Sequence, residues 1–404
     1  LGRKKDSSSW MYFIEYHDRD GNHRTVTIPA DKVTGDGTEW LSTLTSSGYH
    51  CIAGNKALLE KYITSCNPEK RIRIVTRTGW ADTAFVTVAK IYNQPHEGEQ
   101  YQLTSAAKGV TSQSGTLKGW QEKLGDLLPN NPLCQFTICV ALSGPLLNFV
   151  PVGSGGFHFF GDSSCGKTTL LRLASSVWGS LQDMIRAWRT TDNGLEGVAE
   201  ARNDLLLCLD EIHQADTTKV ASIIYMLGNE MGKQRSTRTG QARAVSSWRL
   251  LFLSSGERSV EGKLKELGKE YTAGQEVRLA SIPVKKEDVV DLHGFPDSGA
   301  FTQAIEQYAS EVYGTLGDAY LTRLTAEIET VREELPSKLQ TYAETLLRPY
   351  PGCSSQVKRV ALRFALCLCA GVYASHWELL PSSEMELQQS VEKALQEACR
   401  VLAP

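Results

Sequence analysis

The segment 155–170 constrains this chain more than any other part of it. An apolar run, Gly-Gly-Phe-His-Phe-Phe, leads into Gly161-x-x-x-x-Gly166-Lys167-Thr168. Glycines in such a loop let backbone N–H groups approach phosphate oxygens closely. A helix that begins at Gly166 adds its positive N-terminal end. The pattern predicts a nucleoside triphosphate site; the alternative is a glycine-rich turn before a core helix.

The cofactors expected at this site are ATP and Mg²⁺. Lys167 would neutralise the charge of the β- and γ-phosphates, and Thr168 would bind the metal ion. The predicted nucleotide contacts come from the whole loop and the start of the helix: Gly161, Asp162, Ser163, Ser164, Cys165, Gly166, Lys167, Thr168 and Thr169.

Bulk composition narrows the class of protein. A length of 404 residues allows two or three domains. The net charge of −3 gives no global nucleic-acid signature, so any such contact needs a local patch. The ten cysteines show no paired C-x-x-C spacing, which favours buried reduced thiols over a zinc site. Without a long apolar run or a secretory signal, we expect a soluble cytoplasmic protein with no membrane partner. Because Leu1 stands where Met would begin a chain, we expect a piece of a longer polypeptide.

Three regions follow one another along the chain. Residues 1–105 contain several alternating apolar runs and predict a β-rich N-terminal accessory domain. Residues 104–115 are rich in Ser, Gly and Gln, as in a linker. We predict an α/β ATPase domain over 106–290 and a helical, lid-like C-terminal domain over 291–404, where the apolar pattern has a helical period.

A second nucleotide signature lies downstream of the loop. The run Leu205-Leu-Leu-Cys-Leu-Asp210-Glu211 is apolar throughout, as in a parallel strand that is buried on both faces. Asp210 would hold Mg²⁺ together with Thr168, and Glu211 would orient and deprotonate the attacking water. This carboxylate favours a hydrolase over a protein that only binds nucleotide. The alternative is a core strand that ends in a surface acidic pair.

The strand Trp248-Arg-Leu-Leu-Phe-Leu-Ser-Ser255 ends in two hydroxyls. A polar side chain at the tip of a strand between the phosphate loop and the Mg²⁺ strand can sense the γ-phosphate. Either Ser254 or Ser255 could have this role, and we assign catalysis to Ser255. A simple turn at the strand end is the alternative.

The segment 231–249 contains basic residues and no acidic ones. Gly240 separates two polar arms, which predicts a β-hairpin. A basic hairpin suits contacts with the phosphate backbone of DNA. The alternatives are a solvated loop and an arm that contacts another subunit. The predicted DNA-binding residues are Lys233, Arg235, Arg238 and Arg243.

The order of these parts resembles an AAA+ ATPase, specifically the helicase-like family known as domain of unknown function 927. The resemblance spans about Arg77 to Ala374. It is carried by Arg77-Thr-Gly-Trp80, Gly155-Gly-Phe-His-Phe-Phe-Gly-Asp-Ser-Ser-Cys-Gly-Lys-Thr-Thr169, Val177-Trp-Gly179, Leu209-Asp-Glu-Ile212, Gly232-Lys-Gln-Arg235, Leu253-Ser-Ser-Gly-Glu257, Gly274-Gln-Glu-Val-Arg278 and Arg363-Phe364.

This resemblance implies a P-loop AAA+ fold, with a parallel sheet flanked by helices, and a DNA-translocating homo-oligomer in the form of a hexameric ring. Members of the family occur in phages and mobile genetic elements. Some are fused to primase modules, which implies a primase or loader as a partner, and some look like minichromosome-maintenance helicases.

Ring motors of this kind need a cation from the next subunit, because arginine at the γ-phosphate raises the rate strongly. Arg278 precedes the apolar strand Leu279-Ala-Ser-Ile-Pro283 and is the candidate for that role. Arg363 or Arg359 would provide a second nucleotide-sensing contact. Each of these arginines could instead form a structural salt bridge.

Two functions are therefore consistent with the sequence. The favoured one is an ATP-driven DNA helicase or translocase for the replication of a phage or mobile element. Its rival is an ATP-dependent oligomeric switch or scaffold, such as an initiator or defence protein, that does not unwind DNA.

Overall fold

A computed structural model of the chain describes residues 2–4, 10–35, 37–50, 55–69, 71–93, 100–104, 109–189, 192–214, 219–232, 245–266 and 273–402. The chain divides into two compact units, residues 1–108 and 109–404. The predicted domain boundaries after 105 and 290 stay predictions.

The first unit combines strands with three helices in its described part. One sheet has the order β3-β2-β1-β4-β8, and a smaller antiparallel sheet has the order β5-β6-β7. The strands are β1 (Gly2–Lys4), β2 (Trp10–His17), β3 (His23–Pro29), β4 (Ile72–Val75), β5 (Gly79–Ala81), β6 (Ala84–Val86), β7 (Ile91–Tyr92) and β8 (Gln100–Leu103). The helices are α1 (Ala30–Val33), α2 (Glu39–Ser46) and α3 (Lys56–Ser65).

The helices of this unit were not predicted from the sequence. Trp40 and Leu44, one helical turn apart on α2, are buried in a cluster with Val26 and Ile28 of β3. The alternating apolar runs of this region predicted strands, and strands are present at Trp10–His17, His23–Pro29, Ile72–Val75 and Ala84–Val86. The unit is therefore mixed in secondary structure rather than built from strands alone.

The second unit is built on a parallel sheet. Its strands are β9 (Gly155–Phe160), β10 (Ile185–Ala187), β11 (Leu206–Asp210), β12 (Leu251–Gly256) and β13 (Leu279–Pro283). They lie in the order β10-β11-β12-β9-β13, and every neighbouring pair is parallel. The third predicted strand, β12, thus lies between the strand that precedes the loop and the strand that ends in Asp210. The mixed α/β architecture with a parallel sheet is confirmed.

The helices of the second unit flank this sheet and continue to the end of the chain. They are α4 (Leu117–Lys123), α5 (Pro132–Ser143), α6 (Lys167–Ser175), α7 (Leu181–Met184), α8 (Asp192–Glu200), α9 (Val220–Gly228), α10 (Val260–Glu266), α11 (Ala273–Arg278), α12 (Ser298–Glu311), α13 (Thr315–Ala326), α14 (Ile328–Leu347), α15 (Ser355–His376) and α16 (Glu384–Leu402). Short 3₁₀ helices cover Gly125–Leu127, Gly144–Phe149, Ile212–Gln214 and Lys286–Asp288. The helical C-terminal region predicted from the sequence is confirmed.

The two faces of the sheet are covered by different helices. Helices α5 and α6 pack on one face, where Phe136, Phe157 and Phe364 form an aromatic cluster. Apolar residues of α8, α9 and α10 cover the other face. The segment Pro132–Phe149 is long and apolar enough to cross a membrane, but 83% of it is buried inside the protein, as expected for a core helix.

The predicted linker and the predicted state of the cysteines can both be compared with the structure. Residues 109–115 of the predicted linker belong to the second unit, since Ser112 N–H donates to Trp178 O (3.2 Å) and Ser114 pairs with Tyr313. The described cysteines are free, and most are buried, as predicted. Burial raises the pKa of the Cys134 and Cys208 thiols to about 12, so these thiols stay protonated and inert.

Candidate nucleotide site

The glycine-rich loop joins β9 to α6 at the carboxyl edge of the sheet, the edge at which the strands end. Gly161 lies so close to the backbone at Val284 that a Cβ on Gly161 would be 2.2 Å from Val284 O. Its N–H donates to Gly256 O at 3.3 Å. Gly166 has φ +98° and is the N-cap of α6. Glycine suits both places, because a side chain would clash at the first and strain the backbone at the second.

The start of α6 leaves hydrogen-bond donors for a ligand. Gly166 has no side chain and so gives the N-terminal N–H groups no side-chain cap. Lys167 Nζ donates to Gly161 O (2.9 Å) and to Asp162 O (2.6 Å), and lies 3.6 Å from Cys165 Sγ. The ammonium group and the helix N-terminus therefore combine positive potential with donors at one end of the loop, as an anion site requires.

The structure brings the predicted metal-binding pair together. Thr168 is in the first turn of α6, and its hydroxyl donates to Asp210 Oδ1 at 3.5 Å. Asp210 is the last residue of β11. A hydroxyl and a carboxylate oxygen are hard ligands of the type that Mg²⁺ prefers. The donor set thus fits the predicted ion.

The choice between the two serines of β12 is decided by the direction of their side chains. The Ser255 hydroxyl donates to Asp210 Oδ1, and Glu211 N–H donates to Ser255 Oγ at 3.0 Å. Ser254 faces the opposite side of the sheet, where its hydroxyl contacts His158 Nδ1 (2.9 Å) and Trp188 Nε1 (2.9 Å). Ser255 therefore joins the predicted site and Ser254 belongs to the core.

Glu211 follows Asp210 in an unusual backbone conformation. Its φ is +59°, in the left-handed region that non-glycine residues rarely adopt. The following 3₁₀ helix, Ile212–Gln214, places the Gln214 amide against Glu211 Oε2, to which it donates. Sequence reasoning missed Gln214; its position three residues after the carboxylate was the available signal. Strained residues of this kind cluster at functional sites.

Arg278 lies at the amino ends of the strands, opposite the carboxyl edge that holds the loop. The register pairs the next residue, Leu279, with Gly156 near the start of β9. Its guanidinium donates to Gly274 O (2.8 Å) and Asn229 Oδ1 (2.8 Å) and lies 4.8 Å from the centre of the Tyr225 ring. Arg278 is thus not brought to the loop of its own chain, and a role toward a neighbouring subunit stays a prediction.

Arg363 lies beside the first residue of β9, whereas the loop follows the last residue of that strand, so this arginine is also distant from the loop. It is 4% exposed, and its guanidinium donates to Val277 O at 2.8 Å. A Cβ on Gly155, the first residue of β9, would lie 2.2 Å from Arg363 Cζ. Burial lowers the pKa of Arg363 to about 10. Helix α15 therefore inserts this side chain beside the amino end of β9, and the structure does not bring it together with the predicted phosphate contacts.

The predicted DNA-binding residues Lys233, Arg235, Arg238 and Arg243 lie outside the described residues. The two ends of that segment are described. Met231 pairs antiparallel with Ser247, and Gly232 N–H donates to Ser246 O at 2.8 Å. The two described ends of the segment therefore lie beside each other and run antiparallel. Arg249, just after it, is held by Val150 O (2.9 Å) and Val152 O (3.0 Å).

One of the comparisons with known proteins agrees with this architecture. One solved structure, "SCCmec type IV Cch - active helicase", matches over 97% of this chain and 74% of that chain, at 14% identity and a TM-score of 0.71. It shows that the two share a fold. NtrX from Brucella abortus matches over 62% of this chain and 70% of that chain, at 14% identity and a TM-score of 0.28. No curated protein matches.

The family comparison covers more than half of the chain. The family described as "Domain of unknown function (DUF927)" matches residues 2–247, which include the loop, the strand that ends in Asp210 and nearly all of the basic segment 231–249. The protein therefore belongs to the domain of unknown function 927 family.

Proposed function

We propose that the protein is a Mg²⁺-dependent ATPase that moves on DNA during the replication of a phage or mobile genetic element. The observation that carries the proposal is the convergence of three elements at one edge of the sheet. Thr168 of α6 and Ser255 of β12 both donate to Asp210 of β11. Lys167 directly precedes Thr168, and its ammonium group donates to the loop carbonyls of Gly161 and Asp162.

Each of these residues has a distinct task in the proposed reaction. Bound Mg²⁺ would offset the negative charge of the β- and γ-phosphates. Thr168 and Asp210 would hold the ion, and Lys167 would bind phosphate oxygens. Glu211 would orient the attacking water and accept its proton, which is the role of a general base. Ser255 would hold the Asp210 carboxylate and contact the γ-phosphate.

We assign the protein to the AAA+ class. We propose that it acts in the cytoplasm as a homo-oligomer, specifically a hexameric ring. In such a ring, Arg278 of one subunit would act at the nucleotide of its neighbour. A primase or loader, as a domain or a separate protein, is the further partner that we propose. The strand order, with the sensing serine between the loop strand and the carboxylate strand, supports this class.

DNA is proposed as the partner of the basic segment 233–244. The antiparallel pairing of Met231 with Ser247 supports a hairpin at this place. Contacts from its basic side chains to DNA phosphates would be independent of sequence and sensitive to salt. The protein that shares the fold is described as an active helicase, which favours a motor over a static scaffold.

The test is ATP hydrolysis by the purified protein, with and without single-stranded DNA, across a salt series. We expect hydrolysis that rises with DNA, falls with salt and disappears in Lys167→Ala. The triple variant Lys233→Glu, Arg235→Glu, Arg238→Glu should keep basal hydrolysis and lose DNA stimulation. Hydrolysis that is indifferent to DNA at every salt concentration would contradict the motor and favour the ATP-dependent switch or scaffold. Absence of nucleotide binding would contradict both.

A further inference from the structure

A buried chain of hydrogen bonds lies behind the proposed site. Trp188 Nε1–H donates to Ser254 Oγ (2.9 Å), and His158 bonds to Ser254 through Nδ1 (2.9 Å) and to Arg258 O through Nε2 (2.9 Å). An indole nitrogen can only donate and a carbonyl can only accept. The His158 proton is therefore on Nε2, and the Ser254 hydroxyl donates to Nδ1. The chemistry of the two ends thus determines the direction of every bond.

The three side chains of this chain of hydrogen bonds are shielded from solvent. His158 and Ser254 are 0% exposed and Trp188 is 2% exposed. Burial, partly offset by the hydrogen bond to Arg258 O and assisted by the nearby charge of Lys167, lowers the pKa of His158 to about 4. The imidazole is therefore neutral at physiological pH, which is the form that the hydrogen bonds require.

These side chains connect the three strands whose ends make up the proposed site. His158 is in β9, which leads into the glycine-rich loop. Ser254 precedes Ser255 in β12, and the register pairs Ser254 with His158. The backbone N–H of Trp188 donates to Asp210 O at 3.2 Å, which ties the chain to the end of β11.

We propose that His158 is a positioning residue for ATP hydrolysis, which holds the ends of β9, β11 and β12 so that Ser255 meets Asp210. The inference rests on the proposed function. The bonds of His158 and Trp188 to Ser254 lie on the face of the sheet opposite α6. We infer that they fix the position of β12 relative to its neighbouring strands. A displacement of about 1 Å at a reacting group can cost about 100-fold in rate.

Three variants test the hydrogen bonds of His158 Nδ1 and Nε2 separately. His158→Asn keeps an acceptor near the place of Nδ1, His158→Gln keeps a donor near the place of Nε2, and His158→Ala keeps neither. The control is Ser390→Ala, which removes a buried hydrogen bond far from the site, the one that Ser390 donates to Gln135 Oε1 between α5 and α16. Each protein is assayed for kcat and KM for ATP, and for its unfolding temperature.

We expect His158→Ala to lower kcat about 10-fold or more with little change in KM, because a small displacement of Ser255 and Asp210 would affect the reacting groups more than the phosphate contacts of the loop. His158→Asn should recover most of kcat, because it restores the bond to Ser254, and His158→Gln should not. Ser390→Ala should lower the unfolding temperature and leave kcat unchanged.

Two results would overturn the inference alone. One is a wild-type protein that hydrolyses ATP while all three His158 variants keep its kcat. The other is equal loss of kcat in His158→Asn and His158→Gln, including a failure of both to fold, because the effect would then be a general property of the core. A wild-type protein that neither binds nor hydrolyses ATP would overturn the proposed function and this inference with it.

Discussion

The hydroxyl of Ser255 donates its proton to the carboxylate of Asp210, while it accepts a hydrogen bond from the backbone N–H of Glu211 at 3.0 Å. One hydroxyl thus connects the end of β12 to both carboxylate residues at the end of β11. Because the N–H occupies an acceptor position on Oγ, the hydroxyl proton is directed at Asp210. The proposed metal ligand Asp210 therefore accepts hydrogen bonds from two hydroxyls, those of Thr168 and Ser255, at the same oxygen, Oδ1.

Replacement of Ser255 by Ala should weaken the proposed metal site without unfolding it. The change leaves the Asp210 carboxylate with one fewer donor and the Glu211 N–H without its acceptor. We expect kcat/KM for ATP to fall about 10- to 100-fold and the Mg²⁺ concentration for half-maximal activity to rise. Ser222→Ala is the control, since this exposed serine bonds only locally, to Lys219 O at 2.8 Å. Equal Mg²⁺ dependence in both variants would contradict the role of Ser255.

Replacement of Glu211 by Gln should separate nucleotide binding from hydrolysis. The amide keeps the size of the side chain but cannot accept a proton, and loss of a general base costs about 100- to 10,000-fold in rate. Binding should persist, because Lys167, Thr168 and Asp210 are unchanged. Equilibrium titration with a fluorescent ATP analogue, beside single-turnover hydrolysis, checks both expectations. A variant that hydrolyses ATP at the wild-type rate would assign the general base to another residue.

The glycine-rich loop and the strand that ends in Asp210 could be predicted because each is a local pattern. A β–loop–α motif needs only neighbouring residues, and a run of apolar residues indicates a strand buried on both faces. The position of β12 between these two strands was also predicted correctly.

The sequence offered no physical reason to assign the site to Ser255 rather than Ser254, because successive side chains in a strand point to opposite faces and the sequence does not show which face holds the site. Only the packing of α6 shows which face holds the site. Arg278 and Arg363 were assigned from their order along the chain. Their positions depend on strand register and on the docking of α15, which involve residues far apart in sequence.

Acid should destabilise the second unit through His158. Its pKa is lowered by burial from an ordinary value of 6.5 to about 4 in the folded protein. As the pH falls below 6.5, the unfolded chain binds a proton that the folded chain does not bind until the pH reaches about 4. Stability is therefore lost in that window, by about 2 kcal/mol at pH 5 relative to pH 7.

Urea unfolding of the wild type and of His158→Gln at pH 7 and pH 5 tests this expectation. The carboxylates are common to both proteins, so their contribution cancels in the difference between the two pH dependences. The wild type should lose about 2 kcal/mol more than the variant between the two pH values. The same loss in both proteins would show that His158 is not a buried neutral base in the folded chain.

Gly161 should tolerate no side chain, whereas Gly153, a few residues upstream, should tolerate one. A Cβ at Gly161 would lie 2.2 Å from Val284 O and 3.3 Å from Cys165 Sγ, and a Cβ at Gly153 would meet nothing within 4 Å. Backbone at Val284 cannot move aside easily, since Val284 N–H is bonded to Phe160 O at 2.7 Å. Overpacking of this kind costs about 1–3 kcal/mol. We therefore expect Gly161→Ala to lower both the unfolding temperature and the affinity for ATP, and Gly153→Ala to change neither. Thermal unfolding and equilibrium ATP binding of the two variants provide the comparison, and matching results for both would show that close approach at Gly161 does not shape the loop.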